Sequence, residues 1–489
     1  MTDVILFHPD IYELKLHFYV TLPLGLLRIS TLLDKEGYKI KIIDQRINKK
    51  WKEDLKRELK KNPICIGITS MIGASILNGL RASRIVKKNS NVPVVWGGPQ
   101  PTILPQITLE NKYVDIVCEG EGETTFYELV KTLEKDKSLN KVKGIWFKNN
   151  GGKKYNGKRP FVDFNDIPNP PYHILNIKDY KRTSWHTKKF TFNIETSRGC
   201  IYRCNYCYNP IHYPCWRALK AERVIELLKN LIDDYNVKSF LFHDDNFGVN
   251  QKRVNKIMEG ILKEKLDIEM GFQGIRVDTI CKMKKSELDS MSKAGCKHII
   301  VGVESGSPRI LKLLHKGIKV EQTYAANKKL SKYTEIKPKY NLMGGFPTET
   351  IEELFMTMNT AIKLKKENPS AQITPIFLYV PWPGTKMYDF SIQHGFNPPK
   401  TLVEWGHIEW TSAYARSFSF PWLTDEFKKI YEKTLLVYLF ANDFPILDKN
   451  LVVKIMEKFY RHIAKFRFYH NYYRFMPEYF LSKFIKPLI

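Results

Sequence analysis

No uninterrupted apolar run in the 489 residues reaches the roughly 18 needed to cross a bilayer, so no transmembrane helix is expected. The opening MTDVILFHPD carries an acid at its third position and turns polar after a short apolar stretch. That pattern does not suit a secretory signal. A cytoplasmic protein is expected, with membrane contact at most peripheral. Acid is also scarce: 51 Asp and Glu stand against 78 Lys and Arg, a formal charge of +27. Such a surplus suits nucleic acid, an anionic membrane surface, or simply a Lys-rich solvated exterior. No repeat of fixed period runs through the chain, which sets aside solenoid architectures. In a reducing compartment the eight cysteines are not expected to form structural disulfides.

What is present fits a folded globular protein, with 43% hydrophobic and 26% charged residues. The length calls for two domains and an appendage. Residues 1–140 alternate β-rich runs with helical stretches. VILF (4–7), KIKIID (39–44), ICIGITS (64–70), VPVVWGG (92–98) and VDIVCEGEGE (114–123) read as strands, and LGLLRISTLLDKEG (24–37) as an amphipathic helix. Buried strands separated by helices imply a doubly wound α/β domain with a parallel sheet. Its ligand is expected at the carboxyl ends of the strands, where Thr69, Ser70, Gly97, Gly98, Gly120 and Glu121 stand. Residues 141–189, rich in Gly, Pro, Asn and Lys, read as a linker. A second β/α series follows over 190–395, with strands at FTFNIET, KSFLFHD, EMGFQGI, HIIVGVE, KYNLMGG and TPIFLYV. Six units suit an open, partial TIM-type barrel rather than a closed one of eight. Residues 396–489 read as a helical, aromatic C-terminal extension.

The run ETSRGCIYRCNYCYNP places Cys200, Cys204 and Cys207 in C-x3-C-x2-C order. Three thiolates in a tight loop can hold three corners of an iron–sulfur cubane and leave the fourth iron open. A zinc site would need a fourth ligand, for which Cys215 or His212 is available. Buried inert thiols are the third reading.

CIYRCNYC resembles the signature of the radical S-adenosylmethionine (SAM) superfamily. The resemblance implies a 4Fe–4S cluster whose open iron chelates SAM, and reductive cleavage to a 5′-deoxyadenosyl radical. It implies Tyr206 near the adenine, and it extends over FHDDNF (242–247), GIRVD (274–278), VGVESGS (301–307), GGFPTET (344–350) and PWPGT (381–385). From these it suggests Asp244, Asp245, Arg276, Glu304, Ser305, Gly345 and Phe346 as further SAM contacts. Each match is weak alone; their order after the cysteine triplet carries the assignment. No side chain is assigned to the chemical step itself. The first domain, through LPLGLLRISTLLDKEGYKIKIID, WGGPQPT and DIVCEGEGETTFYEL, resembles the cobalamin-binding domain that precedes many such enzymes. Cobalamin is therefore expected at the strand ends named above. The chain departs from the classical form of that domain: it lacks D-x-H-x-x-G, and its first loop offers only His8 and His17. No protein imidazole is expected beneath the cobalt.

The resemblance implies a cobalamin-dependent radical enzyme that methylates an unactivated carbon of a small-molecule, lipid-like or peptide substrate, with an external electron donor. The rival within the same architecture is cyclisation, ring contraction or carbon–carbon coupling without methyl transfer. An RNA-modifying enzyme is a further alternative, but the helical C-terminus argues against it and a nucleic-acid partner is not expected. In the tail, Leu451, Ile455, Phe459 and Ile463 make an apolar helix face among Lys454, Lys458, Arg461, Lys465, Arg467 and Arg474. That face either caps the barrel or lies in a membrane interface; stacking on RNA bases is the least favoured reading.

Overall fold

The computed structural model describes residues 2–11, 20–149, 152–180, 189–408, 420–442 and 451–479 of the chain, without the side chains of 451–457. His17 lies outside the described residues.

Strands β1 (Val4–His8), β2 (Ile40–Asp44), β3 (Cys65–Thr69), β4 (Val94–Gly97) and β5 (Ile116–Cys118) pair in parallel, in the order β2-β1-β3-β4-β5. β1, β3, β4 and β5 are almost wholly apolar because helices cover both faces of the sheet. Helices Leu24–Lys35 and Gly122–Glu134 lie together on one side. Helices Trp51–Leu59 and Ala74–Asn89 pack together as a second pair. The sheet then continues into the stretch read as a linker: β6 (Ile145–Asn149) and β7 (Gly152–Tyr155) add antiparallel strands to its edge. Ile145 and Phe147 alternate into the core, and Trp146 stacks on Tyr155 at 4.4 Å. The period-2 pattern was thus present, hidden among turn residues that a hairpin also requires.

The second domain holds β8 (Phe192–Ile194), a two-residue ladder of β9 (Ser197–Arg198) with β10 (Arg217–Ala218), and β11 (Ser239–Phe242). It continues with β12 (Glu269–Phe272), β13 (Cys296–Glu304), β14 (Lys337–Gly344) and β15 (Gln372–Leu378). Six strands form one parallel sheet in the order β15-β14-β13-β12-β11-β8, so the partial (β/α)6 barrel is open between β8 and β15. Helix Asp425–Ala441 lies against β15, and helix Leu451–His470 packs on it from outside.

The two domains share one apolar core, running from Ile5 and Phe7 through Phe192 and Ile194 to Trp405 and Tyr438. Polar bonds fix their register. The buried Asn193 amide accepts from the Leu22 N–H at 2.8 Å and donates to the Leu22 carbonyl at 2.9 Å. From the far end of the chain, helix Leu402–Gly406 returns to helix Ala74–Asn89, and the Gly73 N–H donates to the Trp405 carbonyl at 3.2 Å.

Replacing Asn193 with Ala would leave both Leu22 groups buried without partners, at a cost of about 1–3 kcal/mol. The expected result is a lower denaturant midpoint with an unchanged far-ultraviolet spectrum. An unshifted midpoint would mean that this bond does not couple the domains.

Candidate functional site

The β9–β10 ladder closes a loop that carries the three cysteines. Gly199 opens it at φ +82°, and a Cβ there would stand 2.3 Å from the Cys215 carbonyl oxygen, so only glycine fits. Asp244, with no exposed surface, accepts from the Thr196 N–H at 2.8 Å, the Thr196 hydroxyl at 2.7 Å and the Ser197 hydroxyl at 2.5 Å. Asp245 accepts from the Gly199 N–H at 2.8 Å. On the other side the Asn205 backbone and amide donate to the carbonyls of Leu314 (2.9 Å) and Leu313 (2.7 Å). Met387 N–H closes a third contact, on the Asn205 carbonyl, at 3.0 Å.

Two donors point at the thiols themselves. Asn246 Nδ2 lies 3.7 Å from Cys200 Sγ, and Arg276 Nη1 lies 3.8 Å from Cys204 Sγ. Burial pushes the Cys207 thiol up to about 12 and raises Cys204 as well, against the opposing charges of Lys316 and Arg276. Metal loading must therefore displace protons from both. Among the described residues no three His, Cys, Asp or Glu side chains converge on one point that could hold a single ion. A cubane makes no such demand, because each thiolate binds its own iron. Cys215 is exposed and His212 faces a different space, so the donor set fits a cluster and not zinc.

Around the loop stand most of the expected SAM contacts. The Tyr206 hydroxyl donates to Glu304 Oε1 at 3.0 Å. Burial, reinforced by Glu304, holds that phenol well above its usual range. Glu304 ends β13 at φ +68°, unusual for a residue with a Cβ. Lys316 binds both partners, at 2.7 Å to Glu304 and 3.2 Å to Tyr206. Phe346 is fully buried on Tyr379, centroids 5.2 Å apart, in the apolar cluster that also takes Tyr206. The N–H groups of Gly345 and Phe346 donate to Glu349 at 2.5 and 3.1 Å. Ser305 is turned away onto Thr357, 3.0 Å off. The structure thus gathers Tyr206, Arg276 and Glu304 about the cysteines, joins Phe346 to Tyr206 in one apolar cluster, turns the Gly345 N–H onto Glu349, and engages Asp244, Asp245 and Ser305 in holding backbone. Asn246, Lys316 and Asp278, which accepts from Arg276 Nε at 2.8 Å, are not singled out by the sequence. Asn246 sits inside a quoted motif, whereas nothing in periodicity marks Lys316, which reaches Glu304 only through the chain's return.

A crevice of about 230 Å³ opens at the carboxyl edge of the first sheet, lined by Gly25, Gly67, Gly97, Gly98, Gly120 and Gly122. Thr69 and Glu121 also face it. Ser70 is buried behind, its hydroxyl on the Met71 carbonyl at 3.1 Å. Gly98 takes φ +99°, and a Cβ there would meet Thr69 Oγ1 at 2.9 Å. A slot between sheet and helices with glycines along its strand ends suits the nucleotide tail of a corrinoid. Arg198, His212 and Tyr213 of the second domain form its far wall. Arg198 ion-pairs with Glu123 (2.6 Å), Glu195 (2.8 Å) and Glu121 (3.3 Å), and Arg217 also binds Glu121. Burial works against the Arg198 charge, and Glu123 and Glu195 outweigh it, so its pKa stays well above the usual range. Burial lowers the His212 pKa to about 4, so the ring is neutral at pH 7, and its Nδ1 has no hydrogen-bond partner among the described residues. His8 lies away from the crevice wall, its Nδ1 2.9 Å from the Pro9 carbonyl oxygen.

Residues 194–361 match the radical SAM superfamily, and residues 18–130 match the B12-binding domain. An uncharacterized methyltransferase of Pyrococcus horikoshii is 35% identical over 376 residues, covering 76% of this chain and 78% of that protein. The anaerobic magnesium-protoporphyrin IX monomethyl ester cyclase of Synechocystis sp. is 26% identical over 61% of this chain and 59% of its own length. Among solved structures, the cobalamin-dependent SAM radical enzyme OxsB with aqua-cobalamin bound matches with a TM-score of 0.72 at 19% identity. That match covers 100% of this chain and 75% of the other, and it supports the fold.

Replacing Cys200, Cys204 or Cys207 with Ala is expected to abolish cluster loading, read as iron content and visible absorption after anaerobic reconstitution. Cys215→Ala and Cys281→Ala should load normally. A full cluster in the Cys204→Ala protein would contradict the assignment. A second expectation concerns Glu349, whose carboxyl burial lifts from 4.5 to about 8. The folded state keeps a proton that the unfolded chain releases first, so stability falls as pH rises between those values. The slope approaches about 1.4 kcal/mol per pH unit. Glu349→Gln should flatten denaturation midpoints across this range; an unaltered slope would assign it to other groups.

Proposed function

Because the chain belongs to the radical SAM superfamily and carries a B12-binding domain, we propose that it is a cobalamin-dependent methyltransferase acting on an unactivated carbon. It is a radical SAM enzyme with a 4Fe–4S cluster, SAM and cobalamin as cofactors, and it requires an external electron donor. When bound, cluster and SAM supply a hydrogen-abstracting radical, and cobalamin supplies a transferable methyl group.

One observation carries the reading: the two cofactor regions share a wall. Arg198, two residues before Cys200, and His212, five after Cys207, both line the glycine crevice of the first domain. The chain's own residues then divide the work. Cys200, Cys204 and Cys207 would hold the cluster, with Asn246 and Arg276 donating toward its sulfurs. Tyr206, Glu304, Lys316 and Phe346 would orient SAM, the buried Phe346–Tyr379 pair keeping water from the adenosyl end. Gly97, Gly98, Gly120 and Thr69 would receive cobalamin at the strand ends.

Cyclisation or coupling without methyl transfer is the rival reading, and the cyclase relative is the observation in its favour. Anaerobic turnover with SAM carrying a deuterated methyl group separates the two. The methyltransferase reading expects S-adenosylhomocysteine, 5′-deoxyadenosine and a product heavier by one labelled methyl. Formation of 5′-deoxyadenosine with an unlabelled product and no S-adenosylhomocysteine would overturn it.

A further inference from the structure

Helix Leu451–His470 has two unlike faces. Inward, Ala464 and Phe468 are buried against helix Asp425–Ala441, with Tyr438 edge-on to Phe468 at 5.0 Å and Phe440 to Tyr460 at 4.8 Å. Outward, Phe459 is 73% exposed, Ile463 48% and Phe466 56%. Their spacing of four and three residues stacks them along one stripe. Beyond the helix end the surface continues with Phe475, 69% exposed, and Tyr472. Of the ten large hydrophobic side chains exposed among the described residues, five fall within 459–475, a concentration that a soluble exterior seldom carries without use.

Of the expected apolar face, the side chains of Leu451 and Ile455 lie outside the described residues, and those of Phe459 and Ile463 decide between barrel cap and outward face. Phe459 and Ile463 do not cap the barrel; they point to solvent. Lys458, Lys465 and Arg474 are exposed around them. Glu478, the only acid in 458–479, is taken up by Arg467 at 2.5 Å. Large apolar rings flanked by exposed cations are complementary to anionic headgroups over acyl chains. The formal charge of +27 adds long-range attraction of the same sign. Among the described residues no helix is long and apolar enough to cross a membrane, so the surface would lie on a bilayer.

We propose that the stripe Phe459–Ile463–Phe466, with Phe475, is a docking surface for an anionic lipid bilayer. The helix lies in the headgroup plane with its rings in the upper acyl region. This goes beyond the reaction and does not depend on which product forms. The test uses the full chain, reconstituted with cluster, and sedimentation with sucrose-loaded vesicles of phosphatidylcholine alone or mixed with phosphatidylglycerol. Wild-type protein should pellet with the mixed vesicles at least tenfold more than with phosphatidylcholine, and less at high salt. A Phe459→Ser, Ile463→Ser, Phe466→Ser triple variant should lose at least tenfold of that binding, as should a Lys458→Glu, Arg474→Glu double variant. Both should keep normal cluster content and 5′-deoxyadenosine formation, since these side chains are exposed and distant in sequence from the cysteines. Equal pelleting of wild type and triple variant would overturn the proposal. So would a concentration-dependent dimer that the triple variant abolishes without any effect of vesicles, which would make the stripe a contact between two copies of the chain.

Discussion

The architecture depends on one buried cation. Arg198 sits at the junction of the two domains, 5% exposed, with three carboxylates around it. A guanidinium so enclosed is tolerable only where several acceptors replace its water, and removing one member of such a group typically costs 3–5 kcal/mol. Glu121 and Glu123 come from the N-cap and first turn of helix Gly122–Glu134, which follows β5 of the first domain. Glu195 and Arg198 come from the strand that leads into the cysteines. The charge that stabilises the interface therefore also sets the separation between the cluster loop and the glycine crevice. A radical enzyme that must bring two large cofactors to one substrate needs that separation held, and four residues from two domains hold it.

Around this junction the cluster loop is supported mainly by groups that do not face a cofactor. Asp244 and Asp245 resemble ligands by type and position, yet their oxygens accept from Thr196, Ser197 and Gly199. Burial raises both carboxyls, and the donors oppose it. Their contribution is orientation: they fix the backbone at the entry to the loop, on Thr196, Ser197 and Gly199. The Lys316–Glu304–Tyr206 group plays a similar part on the opposite side, where a strand end, a helix end and the loop converge on one carboxylate oxygen. Such convergence explains how Glu304 can keep a left-handed backbone, a conformation that persists only when its surroundings over-determine it.

Fold class and six-strand barrel are legible in the chain because each rests on local pattern. Strands buried on both faces read as apolar runs, glycines mark the strand ends, and three cysteines within eight positions leave few chemistries. The β6–β7 hairpin was misread because its Gly, Asn and Lys residues serve a turn and an edge strand as readily as a linker. Periodicity likewise identified the last helix, since side chains repeat with the helical turn whatever they meet.

What periodicity has no access to is direction. It groups Phe459 with Ile463 and places cations beside them; only the packing of Ala464 and Phe468 on Tyr438 decides that this face looks outward. The same limit applies at the centre of the molecule. The sequence by itself determined the elements, the thiol triplet and the glycine-rich strand ends, because these follow from propensity and spacing along the chain. Tertiary structure alone decided that Arg198 reaches Glu123, that Lys316 reaches Glu304, and that Asp244 faces the loop. These contacts join residues 12 to 75 positions apart, and burial of charge, not local preference, selects each partner.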